Sequence, residues 1–202
     1  MDDWHLIVGL GNPGPEYART RHNAGFMLLD RLADHWQVAW QHEKRFQSRL
    51  GRTERNGRQL LLCQSQTFMN LSGVAVAALV KYYRLPLGRL LVVVDDADLP
   101  LGHLRLRPAG SSGGHHGLDS IERHLGSRQY PRLRIGIGRQ DERREIAGYV
   151  LGRLTGAELA VMERVLARAQ RQVECWLERG LQPAMNQFNG AVTAPNNEGI
   201  KQ

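Results

Sequence analysis

Lysine is nearly missing from this chain of 202 residues: Lys44, Lys81 and Lys201 are the only three, and the other basic residues are all arginines. Cysteine is scarcer still. Cys63 and Cys175 are the only two, and neither sits in a CxxC pair. That excludes a disulfide framework and leaves two buried free thiols in a cytoplasmic protein as the expectation. Long apolar runs are absent too. The longest are Val74 to Val80 and Leu90 to Val94, far short of the ~20 residues that span a bilayer. The N-terminus carries Asp2 and Asp3 and no hydrophobic signal region, so neither secretion nor a membrane partner is expected. No internal repeat or low-complexity block is present.

What is there is positive charge, +7 at neutral pH with a pI near 10. Arginine is the better fork for phosphate, and a basic domain points towards nucleic acid or an anionic surface. A genome favouring arginine codons would give the same composition. The apolar share is 42%, ordinary for a globular protein. The length suits one domain with a sizeable core, expected over residues 1–190. From Gly190 on, Asn, Gly, Pro and Lys predict a loose tail over residues 191–202.

Periodicity alternates between strand and helix. His5 to Val8 reads as a first strand, ending in the Gly/Pro-rich turn Gly9 to Pro15. Phe26, Leu29, Leu32, Ala33 and Trp36 recur at helical spacing. Ser48 to Glu54 and Gln59 to Ser65 form a predicted hairpin around Asn56-Gly57. Ser72 to Tyr83 and Leu118 to Leu125 are predicted helices. Leu90 to Val94 has the β-branched run of a buried strand, His103 to Arg107 alternates, and Leu133 to Ile137 is a further strand. Thr155 and Glu158 make a capping-box pair for a long amphipathic helix that Gly180 stops. The expected fold is therefore α/β: a single domain with a twisted mixed β-sheet flanked by helices and a long C-terminal amphipathic helix.

Gly9-Leu10-Gly11-Asn12-Pro13-Gly14 matches the dinucleotide-binding pattern G-x-G-x-x-G. Two features argue against that use. Pro13 and Pro15 fall where a phosphate-binding helix should begin and supply no N–H. The only acid near the required spacing, Asp30, lies within a helical pattern. A strand-end turn presenting Asn12 to a cleft, or a plain tight turn, accounts for the glycines equally well.

His22 follows that turn in Thr20-Arg21-His22-Asn23-Ala24-Gly25. A histidine can take a proton from water near neutral pH. It needs an acceptor to fix its tautomer, and Asp95 and Asp96 directly follow the buried strand, with Asp98 beyond them. Asn70, in Phe68-Met69-Asn70-Leu71-Ser72-Gly73, stands at another strand end or caps a helix. Gly110-Ser111-Ser112-Gly113-Gly114-His115-His116-Gly117 is a pliable loop that gates a cleft or merely links two elements.

Together these segments, with Asp98-Leu99-Pro100 and Leu133-Arg134-Ile135-Gly136-Ile137-Gly138, resemble the bacterial peptidyl-tRNA hydrolase family, in its order and at its spacing, over about residues 5–190. The resemblance implies hydrolysis of the ester joining a peptide, or an N-blocked aminoacyl group, to the 3′ end of tRNA, which recycles stalled peptidyl-tRNA. It implies His22 as the base that activates water and Asp95 as the group that orients it. Asn12, Asn70, Tyr17 and Met69 would line the cleft and contact substrate. His116 would stand where the family usually has the asparagine associated with water placement. Arg107 and Arg134 match the family's basic positions for a tRNA phosphate, and Arg105 alternates onto the face of Arg107. No cofactor and no metal is expected, with His115 and His116 lacking a credible ligand set. The expected partner is peptidyl-tRNA, bound by a monomer. A relative that binds RNA without cleaving it is the competing reading; the joint presence of His22, Asp95, Asn12 and Asn70 argues against it.

Overall fold

A computed structural model of the chain describes residues 4–138 and 146–192. In chain order its elements are β1 (Trp4–Gly9), α1 (Ala24–Trp36), β2 (Trp40–Glu43), β3 (Ser48–Arg55), β4 (Arg58–Ser65), α2 (Ser72–Tyr83), β5 (Leu90–Asp96), β6 (His103–Arg107), α3 (His116–Leu125), β7 (Arg132–Gly136), α4 (Ile146–Val150), α5 (Gly156–Arg179), α6 (Leu181–Phe188) and β8 (Gly190–Ala191). The strands form one sheet in the order β2-β3-β4-β1-β5-β7-β6-β8. Its centre, β4-β1-β5-β7, is parallel; both flanks are antiparallel. The domain is thus the single mixed-sheet α/β unit expected.

The two-residue period of the central strands divides the core. Ile7, Leu62, Leu91, Val93 and Ile135 face α1 and α5; Leu6, Val8, Leu61, Val92 and Val94 face α2 and α3. This is how a parallel sheet comes to be covered on both faces, and why its strands read as unbroken apolar runs. The hairpin turn forms as the dipeptide requires, with Asn56 and Gly57 both at positive φ. The capping box of α5 is complete, Thr155 accepting from Glu158 N–H while Glu158 accepts from Thr155 N–H. The sequence reading did not anticipate β2, α4, α6 or β8. Each is short, from two to eight residues, and carries too few periods to register. Cys63 and Cys175 are buried and free; burial pushes the Cys63 thiol up to about 12. Residues 193–202, most of the expected tail, lie outside the described residues. Among the described residues no helix is long and apolar enough to cross a membrane.

Two contacts set the start of α1 against the sheet. A Cβ on Gly25 would stand 2.5 Å from Leu10 N and 2.6 Å from Val93 O, and one on Gly9 would stand 2.4 Å from Gly25 O. Neither glycine has positive φ; both are required for close approach of helix to sheet. The second contact is Arg21, whose Nη2 donates to both carboxylate oxygens of Glu158 at 2.7 and 2.8 Å and whose Nη1 donates to Arg153 O at 3.1 Å. Its guanidinium also lies 4.5 Å over the Tyr149 ring. The residue just before His22 is thereby tied to the N-terminus of α5. Burial works against the Glu158 charge, but the Arg21 and Thr155 donors outweigh it and hold the carboxyl below its ordinary range.

Gly25→Ala is expected to destabilise the fold by about 3 kcal/mol through overpacking, read as a lower urea midpoint. Glu158→Gln should cost about 2 kcal/mol at neutral pH, the scale of a hydrogen bond to a charged group. Because the folded carboxyl is depressed, its contribution is present above the unfolded value and lost as pH falls through the folded one. The difference between Glu158→Gln and the parent chain should therefore shrink towards zero below roughly pH 4, measured by urea unfolding at stepped pH.

Candidate active site

The C-terminal ends of β1, β4 and β5 open onto one cleft of about 620 Å³, the usual place for a ligand in an open α/β sheet. The turn after β1 brings Asn12. Its backbone N–H donates to Asn23 Oδ1 at 2.9 Å, and Asn23 Nδ2 returns a bond to Asn12 O at 3.0 Å. Asn12 Oδ1 accepts from Met69 N–H at 2.8 Å, which fixes the amide's orientation and leaves its NH2 as the remaining donor. The segment after β4 contributes Met69, buried, and Asn70, exposed. The end of β5 contributes Asp95, 2% exposed.

Asp95 is held between two histidines. His22 Nδ1 lies 3.0 Å from each carboxylate oxygen, and His115 Nε2 lies 3.0 Å from Oδ1. The opposite nitrogen of His115 caps α3, accepting from Gly117 N–H at 3.1 Å and more distantly from Leu118 N–H. That nitrogen must carry a lone pair, so in the neutral ring the proton sits on Nε2 and is donated to Asp95. His22 Nδ1 faces the same ionised carboxylate, which can only accept, so in the neutral ring the proton sits on Nδ1 and Nε2 keeps a lone pair. Burial opposes the charge on Asp95, but the interactions with His115 and then His22 prevail and hold its carboxyl well below the usual carboxylate range.

The sequence reading denied His115 a ligand set, and the structure differs. The facing atoms of His22, Asp95 and His115 lie within 4.8 Å of one another, close enough to converge on a metal ion. The same contacts also suit two N–H donors on one carboxylate, protons that an ion bound there would have to displace. His115 is the functional residue that sequence reasoning missed. Its signal was its position just before a predicted helix, where a side-chain acceptor caps the first turn.

Of the other expected residues, Tyr17, Met69, Asn70 and His116 line the same cleft as Asn12, His22 and Asp95. His116 is the first residue of α3 and is exposed. Arg134 also borders the cleft, but its guanidinium turns inward to Asp96 and the 110–117 loop. Arg105 and Arg107 do not line it; they lie exposed on the sheet face opposite Leu104 and Leu106. The remaining wall is apolar: Phe68, Ile146 and Leu151 are among the few large exposed hydrophobic residues, and all three border the cleft.

The arrangement suits hydrolysis of an acyl compound: an oriented histidine, carboxamide donors beside it, and a wall for an apolar chain. Comparison with known proteins agrees. A family model described as peptidyl-tRNA hydrolase matches residues 6–197. A peptidyl-tRNA hydrolase of Synechococcus sp. (strain JA-3-3Ab) is 52% identical over 91% of this chain and 82% of its own length. One from Carboxydothermus hydrogenoformans is 50% identical over 91% and 97%. The crystal structure of peptidyl-tRNA hydrolase from Acinetobacter baumannii superposes with a TM-score of 0.90 at 36% identity, covering 96% of this chain and 98% of that one. With motifs, topology and site in agreement, the chain belongs to the peptidyl-tRNA hydrolase family.

Proposed function

We propose that this chain hydrolyses the ester between a peptide, or an N-blocked aminoacyl group, and the 3′ end of tRNA, with His22 as general base and no metal. The observation that carries the reading is the 3.0 Å contact between His22 Nδ1 and the buried Asp95 carboxylate. It fixes the tautomer with Nε2 as acceptor and stabilises the imidazolium formed when that nitrogen takes a proton. Water gives a proton to Nε2 as its oxygen bonds to the ester carbonyl carbon. The tetrahedral oxyanion is met by amide donors, for which Asn12 and Asn70 are the candidates. As the carbon–oxygen bond to the ribose breaks, His22 returns the proton to the leaving 3′ oxygen. The products are a peptide carboxylic acid and a tRNA with a free terminal hydroxyl.

His116, beside Asn70 on the cleft, takes the place of the asparagine usual in the family and supplies one hydrogen bond to water or substrate. Tyr17 and Met69 shape the pocket. Arg105 and Arg107 meet tRNA phosphates, which position the substrate and carry no sequence information; that suits an enzyme acting on many tRNAs. The reading places this work in the cytoplasm, carried out by a monomer.

Purified protein should cleave N-acetylaminoacyl-tRNA with undiminished rate in the presence of a transition-metal chelator. His22→Ala should lose at least about a hundredfold in kcat, the lower end of what general-base catalysis contributes, while still folding, as read by circular dichroism. Full activity in that variant, or loss of the parent's activity on chelation, would refute the mechanism. Arg105→Gln and Arg107→Gln should each raise KM, with the slope of log KM against log salt reduced by about one per lost phosphate contact. An unchanged slope removes the arginine from the interface.

A further inference from the structure

Much of the cleft's apolar wall is carried by one of the shortest helices in the fold. α4 has five residues, and Val150 is the only one of them that is buried. Five residues make little more than one turn, too few for a helix to persist in water by itself. Yet Ile146, Ala147, Val150 and the following Leu151 all border the cleft, and Ile146 and Leu151 keep 51% and 45% of their surface exposed. Such a surface can discriminate between ligands only if it is held at a fixed distance from His22.

Tyr149 does not border the cleft, and it supplies the hold. Its hydroxyl donates to the Ile137 carbonyl at 2.8 Å and also meets that of Gly138, just beyond the end of β7. Its ring carries the Arg21 guanidinium, 4.5 Å from the ring centroid, an attractive arrangement for a cation over an aromatic face. The backbone laces the following residues to the same segment. Arg21 N–H donates to Gly152 O at 3.1 Å, Leu154 N–H donates to Arg19 O at 3.1 Å, and Thr20 bridges to Arg153. Arg21 adjoins His22 and is itself fixed by Glu158. The wall and the histidine therefore share one anchor.

The cleft divides by polarity. Asn12, Asn70 and His116 offer hydrogen bonds, whereas Ile146, Ala147, Val150 and Leu151 offer none. A nucleotide presents hydroxyls, base edges and phosphate. The apolar part of an aminoacyl ester is the side chain of the acyl residue, and burying it against α4 leaves no polar group unpaired.

We propose that Tyr149 is a positioning residue that sets specificity: held by Arg21 and by the end of β7, it fixes the α4 wall against the side chain of the acyl residue next to the ester, and so favours bulky apolar residues there. The inference rests on the hydrolase reading above.

The test compares N-acetyl-leucyl and N-acetyl-glycyl esters of one tRNA, cleaved by the parent chain, Tyr149→Phe and Tyr149→Leu. Phenylalanine keeps the ring against Arg21 and loses the hydroxyl; leucine loses both. In the parent, kcat/KM for the leucyl ester should exceed that for the glycyl ester by about tenfold, the scale on which an apolar pocket reads small differences in a side chain. The preference should fall at least about twofold in Tyr149→Phe and about fivefold in Tyr149→Leu, through a higher KM for the leucyl ester, while the glycyl ester stays within about twofold of the parent. A residue serving stability alone would lower both esters alike or neither. An unchanged preference in either folded variant therefore overturns the proposal, as does a parent that cleaves the two esters equally well. If Tyr149→Leu does not fold, Tyr149→Phe decides alone; if neither folds, Tyr149 serves stability only and the proposal fails. A parent chain that cleaves neither ester removes the hydrolase reading itself.

Discussion

A buried negative charge is costly unless donors surround it, and the carboxylate of Asp95 meets that demand with two imidazole N–H groups. The demand runs in both directions. Asp95 needs the donors in order to remain charged at the inner end of the cleft, and each histidine takes its tautomer from facing that charge. For His22 the result is a lone pair on Nε2. For His115 the same placement is reinforced by its other nitrogen, which accepts at the start of α3. Proton placement on both rings thus follows from where a helix begins and where a strand ends.

Those two endpoints have to be held still, and different parts of the molecule do it. His22 is set by the glycine-to-glycine approach of α1 on the sheet and by the Arg21–Glu158 pair that reaches across to α5. The loop that carries His115 gives its Ser111 carbonyl to Arg132 and Arg134 of β7. The chain's arginine-heavy composition has two uses here. Arg105 and Arg107 lie outward, where a polyanion can meet them, while Arg21 and Arg132 lie inward as multi-donor staples that lysine would replace poorly.

Much of this was legible in the sequence, for identifiable reasons. Long elements announced themselves through many periods: α5 by its capping box and apolar repeat, β5 by an unbroken branched run. Asp95, Asn12 and Asn70 could be placed at strand ends because strand ends are marked by turn residues, and His22 could be placed before the first helix. What escaped depended on contacts between residues remote in sequence. His115 lies 20 residues from Asp95, and its place before a predicted helix marks a cap but not a partner of that carboxylate. The inward turn of Arg134 depends on where the 110–117 loop passes, which strand alternation does not encode. Gly9 was read as a turn glycine, whereas it and Gly25 serve by lacking a side chain at a helix–sheet contact. A pattern of small residues is the same for both uses.

The sheet's margins carry one further consequence. Its outer strands among the described residues are β2, four residues with mostly polar side chains, and β8, two residues long. A second polypeptide seeking to extend this sheet would find no long, flat, unpaired ladder of N–H and C=O groups to copy. The hydrophobic strands that could nucleate such growth are all interior, each already bonded on both sides. The fold therefore guards itself against fibrous self-association through the brevity of its borders rather than through any dedicated surface charge.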